Sequence, residues 1–152
     1  MYLYVRYALK HTLPPGTGTP TGDPIETAAV GRVMGVARKS RGLGACPVGS
    51  VKTNIGHTEA AAGMAGLIKV LLMMRHQTLA PSVLFGNLKE SLDLGGLHLD
   101  VVSTARSWST SSGGARLAAV NSFGFGGTNV QVVVQERSTS KPMSSAKNEV
   151  VV

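Results

Sequence analysis

The sequence predicts a layered α/β chain in which an apolar helix lies buried beneath a mixed sheet. Three observations carry this: a capped amphipathic helix near the start, a helix apolar on almost every side in the middle, and two β-rich runs flanking a glycine loop near the end. The first is Asp23-Pro24-Ile25-Glu26, which reads as an N-cap, a proline at the first helical position and a capping-box glutamate. The helix runs to about Lys39. Val30, Val33, Met34 and Ala37 give it an apolar stripe at three- and four-residue spacing, and Gly42 and Gly44 stop it.

Val48 to Val51 reads as a short strand. Glu59 to about His76 is the second helix, and its Ala, Leu, Ile, Val and Met residues leave no polar face, as expected of a central buried helix. Gly63 and Gly66 in it permit close approach of another backbone. Pro81 to Leu88 reads as irregular, Leu97 to Val102 as a strand and Ser107 to Gly114 as a polar turn. Arg116 to Ser122 and Asn129 to Gln135 are strands in a hairpin-like pattern around Phe123-Gly-Phe-Gly-Gly-Thr128. From Ser138 onward the chain is rich in Ser, Lys and Thr and reads as a disordered tail or linker.

At 152 residues the chain fits one domain. Aromatic residues make up 5% and glycine 19 positions, so the interior is expected to be aliphatic with close backbone packing. The formal net charge of +7 suits an acidic partner. The basic residues are scattered, without aromatic interleaving or a recognisable motif, which argues against nucleic acid. Cys46 is the single cysteine. It fits a reducing cytosol, and its setting in Gly44-Ala-Cys-Pro-Val48 suits a packed small hydrophobe better than a nucleophile. Met1 to Leu9 lacks a signal core, and the apolar run from Ala60 to Met74 is interrupted by Lys69 and too short for a bilayer. A soluble, cytoplasmic protein is the expectation, with no membrane partner.

Chemistry concentrates in Val51-Lys-Thr-Asn-Ile-Gly-His-Thr-Glu59, which sets a lysine and a histidine around a glycine turn before the apolar helix. An imidazole at a helix N-terminus feels the positive end of the dipole, which favours a neutral ring able to donate to a carbonyl or oxyanion, and a nearby ammonium acts in the same sense. Read alone, the segment accommodates either a catalytic imidazole or a helix-start residue. Gly16-Thr-Gly-Thr-Pro-Thr-Gly22 fits neither the phosphate loop nor the dinucleotide spacing, which disfavours ATP and NAD. It offers Thr17 and Thr19 hydroxyls to an extended ligand, or else forms a simple turn. Gly124-Phe-Gly-Gly-Thr-Asn129 admits both an oxyanion-binding loop and a plain hairpin. His11, His57, His76 and His98 are too far apart, with no cysteine cluster, to suggest a metal.

Together and in order, Gly-Thr-Gly-Thr-Pro-Thr-Gly-Asp-Pro-Ile-Glu at 16–26, Val-Gly-Ser-Val-Lys-Thr-Asn-Ile-Gly-His-Thr-Glu-Ala-Ala-Ala-Gly at 48–63 and Asn-Ser-Phe-Gly-Phe-Gly-Gly-Thr-Asn at 121–129 closely resemble the β-ketoacyl synthases, the condensing domains of fatty acid and polyketide synthases. The resemblance covers about 16–136. It implies the C-terminal half of a thiolase-like α/β fold, with 1–15 a divergent N-terminal segment and 137–152 a tail or linker. It further implies decarboxylative condensation, with His57 as the second histidine of the site and Lys52 as the lysine that supports it. Phe125 then gates the pocket, while Thr17 and Thr19 line the tunnel for the phosphopantetheine arm of an acyl carrier protein. No tightly bound cofactor is implied, and the parent enzyme is expected to be a homodimer.

Two departures bear on activity. The family's nucleophilic cysteine belongs to its N-terminal half, and Cys46 lacks that cysteine's sequence context. Pro15 stands where the first histidine would precede Gly-Thr-Gly-Thr, and it can neither donate nor carry a proton. The sequence is therefore read as a fragment or misassigned gene start, inactive alone and completed by a missing N-terminal half. The alternative is a non-catalytic scaffold or carrier-protein-binding module.

Overall fold

The computed structural model describes residues 2–5, 22–82, 93–110, 114–124 and 126–137. Among these the chain forms a five-stranded sheet of order β4-β2-β1-β6-β7, built from β1 (Tyr2–Val5), β2 (Cys46–Gly49), β4 (Leu99–Val101), β6 (Leu117–Phe123) and β7 (Asn129–Gln135). A two-stranded ribbon joins β3 (Thr78–Leu79) to β5 (Arg106–Ser107). The first four strands of the larger sheet are parallel, and β7 runs antiparallel to β6 as the expected hairpin partner. The fold is thus mixed α/β, as the sequence indicates. A strand the sequence reading did not assign sits at its centre: Tyr-Leu-Tyr-Val of β1, whose aromatic and β-branched residues suit a pleated ladder, pairs with β2 on one side and β6 on the other.

Alternation along β6 divides the core. Ala118 and Val120 join Val70, Met73, Met74, Leu79, Val102 and Trp108 on one face, while Ala119 joins Val30, Cys46, Val48 and Leu99 on the other. Trp108 is 0% exposed, so the segment read as a polar turn contributes an aromatic anchor to an interior expected to be aliphatic. The Arg116 guanidinium fastens the open end of the hairpin. Its Nη1 lies 2.7 Å from both Glu136 oxygens, and its Nε donates to the Trp108 carbonyl at 2.8 Å.

The first helix is continuous over 22–39 but changes pitch: α1 (Gly22–Val30), a π-helical segment Gly31–Gly35, then α2 (Val36–Lys39). It ends in a Schellman motif, with Leu43 N–H on the Arg38 carbonyl, Gly42 N–H on the Lys39 carbonyl and Gly42 at φ +63°. The predicted stripe is corrected here. Val30 and Met34 face the core, but Ala37 is exposed and Val33 is 67% exposed. Gly31 and Gly35 are buried in their place, because the Leu97 side chain lies directly against Gly31 and the Leu97 backbone against Gly35.

The second helix begins with a 3-10 turn, Glu59–Ala61, and continues as α4 (Ala62–Arg75). One side packs against β6, where a Cβ at Gly63 would lie 3.1 Å from Ser122 Oγ. The opposite side leaves Met64, Ile68, Leu71 and Leu72 exposed, so the burial expected all round is met on the sheet side alone. Among the described residues no helix is long and apolar enough to cross a membrane. The tail from Ser138 and the segment 83–88 lie outside the described residues.

A Cβ at Gly35 would fall 2.0 Å from the Leu97 carbonyl oxygen, whereas one at Gly31 would meet the Leu97 side chain at 2.7 Å. Backbone cannot yield as a side chain can. Gly35→Ala should therefore destabilise by about 2–4 kcal/mol despite alanine's better helix propensity, and Gly31→Ala by clearly less. Urea denaturation of both variants measures the difference, and equal midpoints would refute this packing.

Candidate active site

The parallel strands β1, β2 and β6 end side by side, with Val5 paired to Gly49 and to Val120. Loops leaving such carboxyl ends are where open α/β sheets bind ligands. From β2 the chain enters a buried polar turn at Ser50, which is 0% exposed. Each polar group of this residue is paired: its N–H donates to Ser82 Oγ at 3.1 Å, and its Oγ accepts from Lys52 N–H at 3.2 Å. Its carbonyl accepts from Thr53 Oγ1 at 2.9 Å and from Lys69 Nζ at 3.3 Å. Burial without these partners would leave the turn several kcal/mol less favourable.

The turn opens into the one-turn helix α3 (Lys52–Ile55), which Gly56 ends at φ +76° with its N–H on the Lys52 carbonyl. A Cβ there would meet nothing within 4 Å, so the position calls for glycine because of backbone conformation and not for want of space. His57 follows. Its side chain is 28% exposed, and its Nδ1 accepts the Glu59 N–H at 2.9 Å. That amide opens the 3-10 turn leading into α4, one of the donors a helix start leaves unpaired within itself. Glu59 adopts φ +47°, a left-handed conformation uncommon for a non-glycine residue and recurrent at functional sites. An Nδ1 that accepts this bond places the proton of a neutral imidazole on Nε2.

The histidine is thus oriented by a backbone amide at the helix start. Lys52, half-buried, sits at the other end of α3. On the far side of β1, the β6–β7 loop is closed by Gly124 N–H on the Thr128 carbonyl at 2.8 Å, and by Gly127 at φ +85° donating to the Gly124 carbonyl at 3.0 Å. The contact of Gly63 with Ser122 brings the first turn of α4 to the end of β6, so the His57 turn and this loop share one edge of the sheet. Phe125, Thr17 and Thr19 lie outside the described residues, as does Pro15. Cys46 is 0% exposed within β2 and packs in the core, as its sequence setting indicates.

Sequence reasoning missed Lys69, Ser50, Asn54 and Ser82. Lys69 Nζ donates to Asn54 Oδ1 at 2.8 Å and approaches the Pro81 carbonyl at 3.4 Å, and Asn54 Nδ2 donates to that same carbonyl at 3.1 Å. The ammonium borders an apolar groove of about 520 Å³ whose lining includes Ile55, Ile68, Leu72 and Met73. Desolvation there lowers its pKa from 10.5 to about 8. A cation in the middle of a helix otherwise apolar up to its last residue, Arg75, was the available signal, since lysine is seldom buried without partners.

Residues 8–85 match the family of the β-ketoacyl synthase C-terminal domain, and residues 89–152 match the ketoacyl-synthetase C-terminal extension. The chain belongs to the β-ketoacyl synthase family. It is 52% identical over 121 residues to polyketide synthase GfsA of Streptomyces halstedii, a match covering 78% of this chain and 2% of that protein. It is 44% identical over 123 residues to the highly reducing polyketide synthase AN6791 of Emericella nidulans, covering 81% of this chain and 5% of that protein. Among solved structures, the ketosynthase from module 6 of the Bacillus subtilis 168 bacillaene synthase superposes with a TM-score of 0.74 at 41% identity, covering 89% of this chain and 22% of that one. The chain thus corresponds to the C-terminal part of a polyketide-synthase-type ketosynthase with a thiolase-like fold. It spans a small fraction of these multidomain relatives and under a quarter of the ketosynthase structure.

Two predictions follow from the ketosynthase turn. Gly56→Ala should lose about 1–3 kcal/mol through backbone strain, with thermal unfolding as the measure; an unchanged transition would contradict the left-handed turn. For Lys69 the folded pKa lies below the unfolded value, so the unfolded chain binds more protons between pH 8 and 10.5 and stability rises with pH across that window. Urea denaturation of wild type and Lys69→Met should show this rise in the wild type relative to the variant, and parallel pH profiles would show the amine to be well solvated.

Proposed function

We propose that this chain supplies the enolate-stabilising part of a ketosynthase that performs decarboxylative condensation in polyketide or fatty acid assembly. The single observation that carries the reading is the Glu59 N–H bond to His57 Nδ1, which leaves Nε2–H as a donor for a thioester carbonyl. When the malonyl carboxylate leaves as carbon dioxide, the electron pair of the broken carbon–carbon bond moves into an enolate whose oxygen Nε2–H stabilises. The enolate carbon then attacks an acyl thioester and expels the thiolate. Lys52 supports the histidine electrostatically, Phe125 gates the pocket, and Thr17 and Thr19 line the path of a carrier protein's phosphopantetheine arm.

Cys46 is sealed in the core, so the acyl-bearing thiol comes from a further ketosynthase segment. That segment would cover the bare side of α4, in a cytoplasmic homodimer of the complete enzyme. The net charge of +7 complements an acidic carrier protein. One observation favours a second reading, a carrier-binding module without chemistry: Pro15 occupies the place of the family's first histidine.

Malonyl-thioester decarboxylation by the purified chain, with and without a separately produced N-terminal ketosynthase segment, distinguishes the two. Activity should appear on complementation and fall about 10²–10⁴-fold in His57→Ala. Full turnover by His57→Ala would overturn the assignment, and carrier binding with no turnover in any combination would select the scaffold.

A further inference from the structure

Lys69 is the one charged residue between Ala60 and Met74. Its ammonium leaves its own helix to meet acceptors on two other segments: Asn54 Oδ1 at 2.8 Å and the Ser50 carbonyl at 3.3 Å on the turn after β2, and the Pro81 carbonyl at 3.4 Å after β3. Asn54 closes the triangle through its own bond to Pro81. The Asn54 contact is a full charge-assisted hydrogen bond, while the two carbonyl contacts are long. The adjoining groove is apolar, and an uncharged residue of similar volume would suit it at least as well. Global stability therefore gives little reason for a cation here. Its acceptors give one, because Ser50 precedes and Asn54 lies within the helix that carries Lys52 and leads through Gly56 to His57.

We propose that Lys69 is a positioning residue of the ketosynthase site, its ammonium latching Ser50 and Asn54 to Pro81 so that the turn bearing Lys52 and His57 keeps one orientation. This rests on the function proposed for His57, yet the order it requires is measurable without substrate. His76 is the other titratable side chain lining the groove, and Lys52 is the charged residue of α3.

Lys69→Met in the full chain should melt at or above the wild-type temperature while amide exchange at Asn54, Ile55 and Gly56 accelerates about tenfold or more. Lys69→Arg, which stays charged, should restore protection. In the wild type, the Asn54 side-chain amide resonance should titrate with the Lys69 midpoint near 8, and this inflection should vanish in both variants but persist in His76→Gln. Raising pH then strengthens the fold globally while loosening this turn, a pair of opposite trends that a purely structural lysine would not give. Unchanged exchange in Lys69→Met overturns the proposal. If that variant fails to fold, an Asn54 amide that is flat across the Lys69 midpoint overturns it instead. In the complemented enzyme, Lys69→Met should lower kcat with KM within about twofold. Full kcat in this variant beside an inactive His57→Ala would refute the latch and leave the function intact, whereas activity in His57→Ala would refute the function and leave the exchange result to judge the latch.

Discussion

A backbone turn buried at the end of a parallel strand must find a partner for every polar group it hides, and at Ser50 this constraint organises the site. The residue has no exposed surface, and its amide, hydroxyl and carbonyl are paired with Ser82, Lys52, Thr53 and Lys69. Those partners come from two sides of the chain, α3–α4 and the segment after β3. Placing Ser50 correctly therefore requires placing both. Once the turn is set, the short helix α3 has a fixed start, Gly56 a fixed reversal and His57 a fixed approach to the Glu59 amide.

The layers around that turn approach closely at glycines that leave room for a neighbouring segment. Gly35 receives the Leu97 backbone and Gly31 its side chain on one face of the sheet, and Gly63 meets Ser122 on the other. Small residues at these points let side chains such as Val30, Val48 and Leu99 fill a thin layer between helix and sheet. The same arrangement leaves apolar surface outward: Ile25, Val33 and Val36 on the first helix, Met64, Ile68, Leu71 and Leu72 on α4, and Val130, Val132 and Val133 on the edge strand β7. Apolar areas of this kind suit burial against another protein surface.

Electrostatically the site divides its labour. One nitrogen of His57 accepts from the backbone, which sets the tautomer of the neutral ring and puts its proton on the other nitrogen. Glu59 adds little as a counter-charge, being 78% exposed and 4.0 Å from the ring. The orienting bond is the amide, which does not titrate. Lys69 holds charge in an apolar setting and spends it on Asn54 and two carbonyls, binding the turn to its surroundings.

The sequence by itself determined the two main helices, the β6–β7 hairpin and the three ordered motifs, because periodicity, caps and glycine turns are local signals that depend on neighbours a few residues away. It also marked His57 and Lys52. Only the tertiary structure decided which face of 22–39 turns inward, where burial of Gly31 and Gly35 against Leu97 outranks the stripe of larger residues. It alone put Tyr2–Val5 at the centre of the sheet, Trp108 in the core and Lys69 beside Asn54, since parallel pairing and side-chain contacts join residues far apart in the chain. Local chemistry gives a residue its capacity. The partners that long-range packing brings to it decide whether that capacity is used.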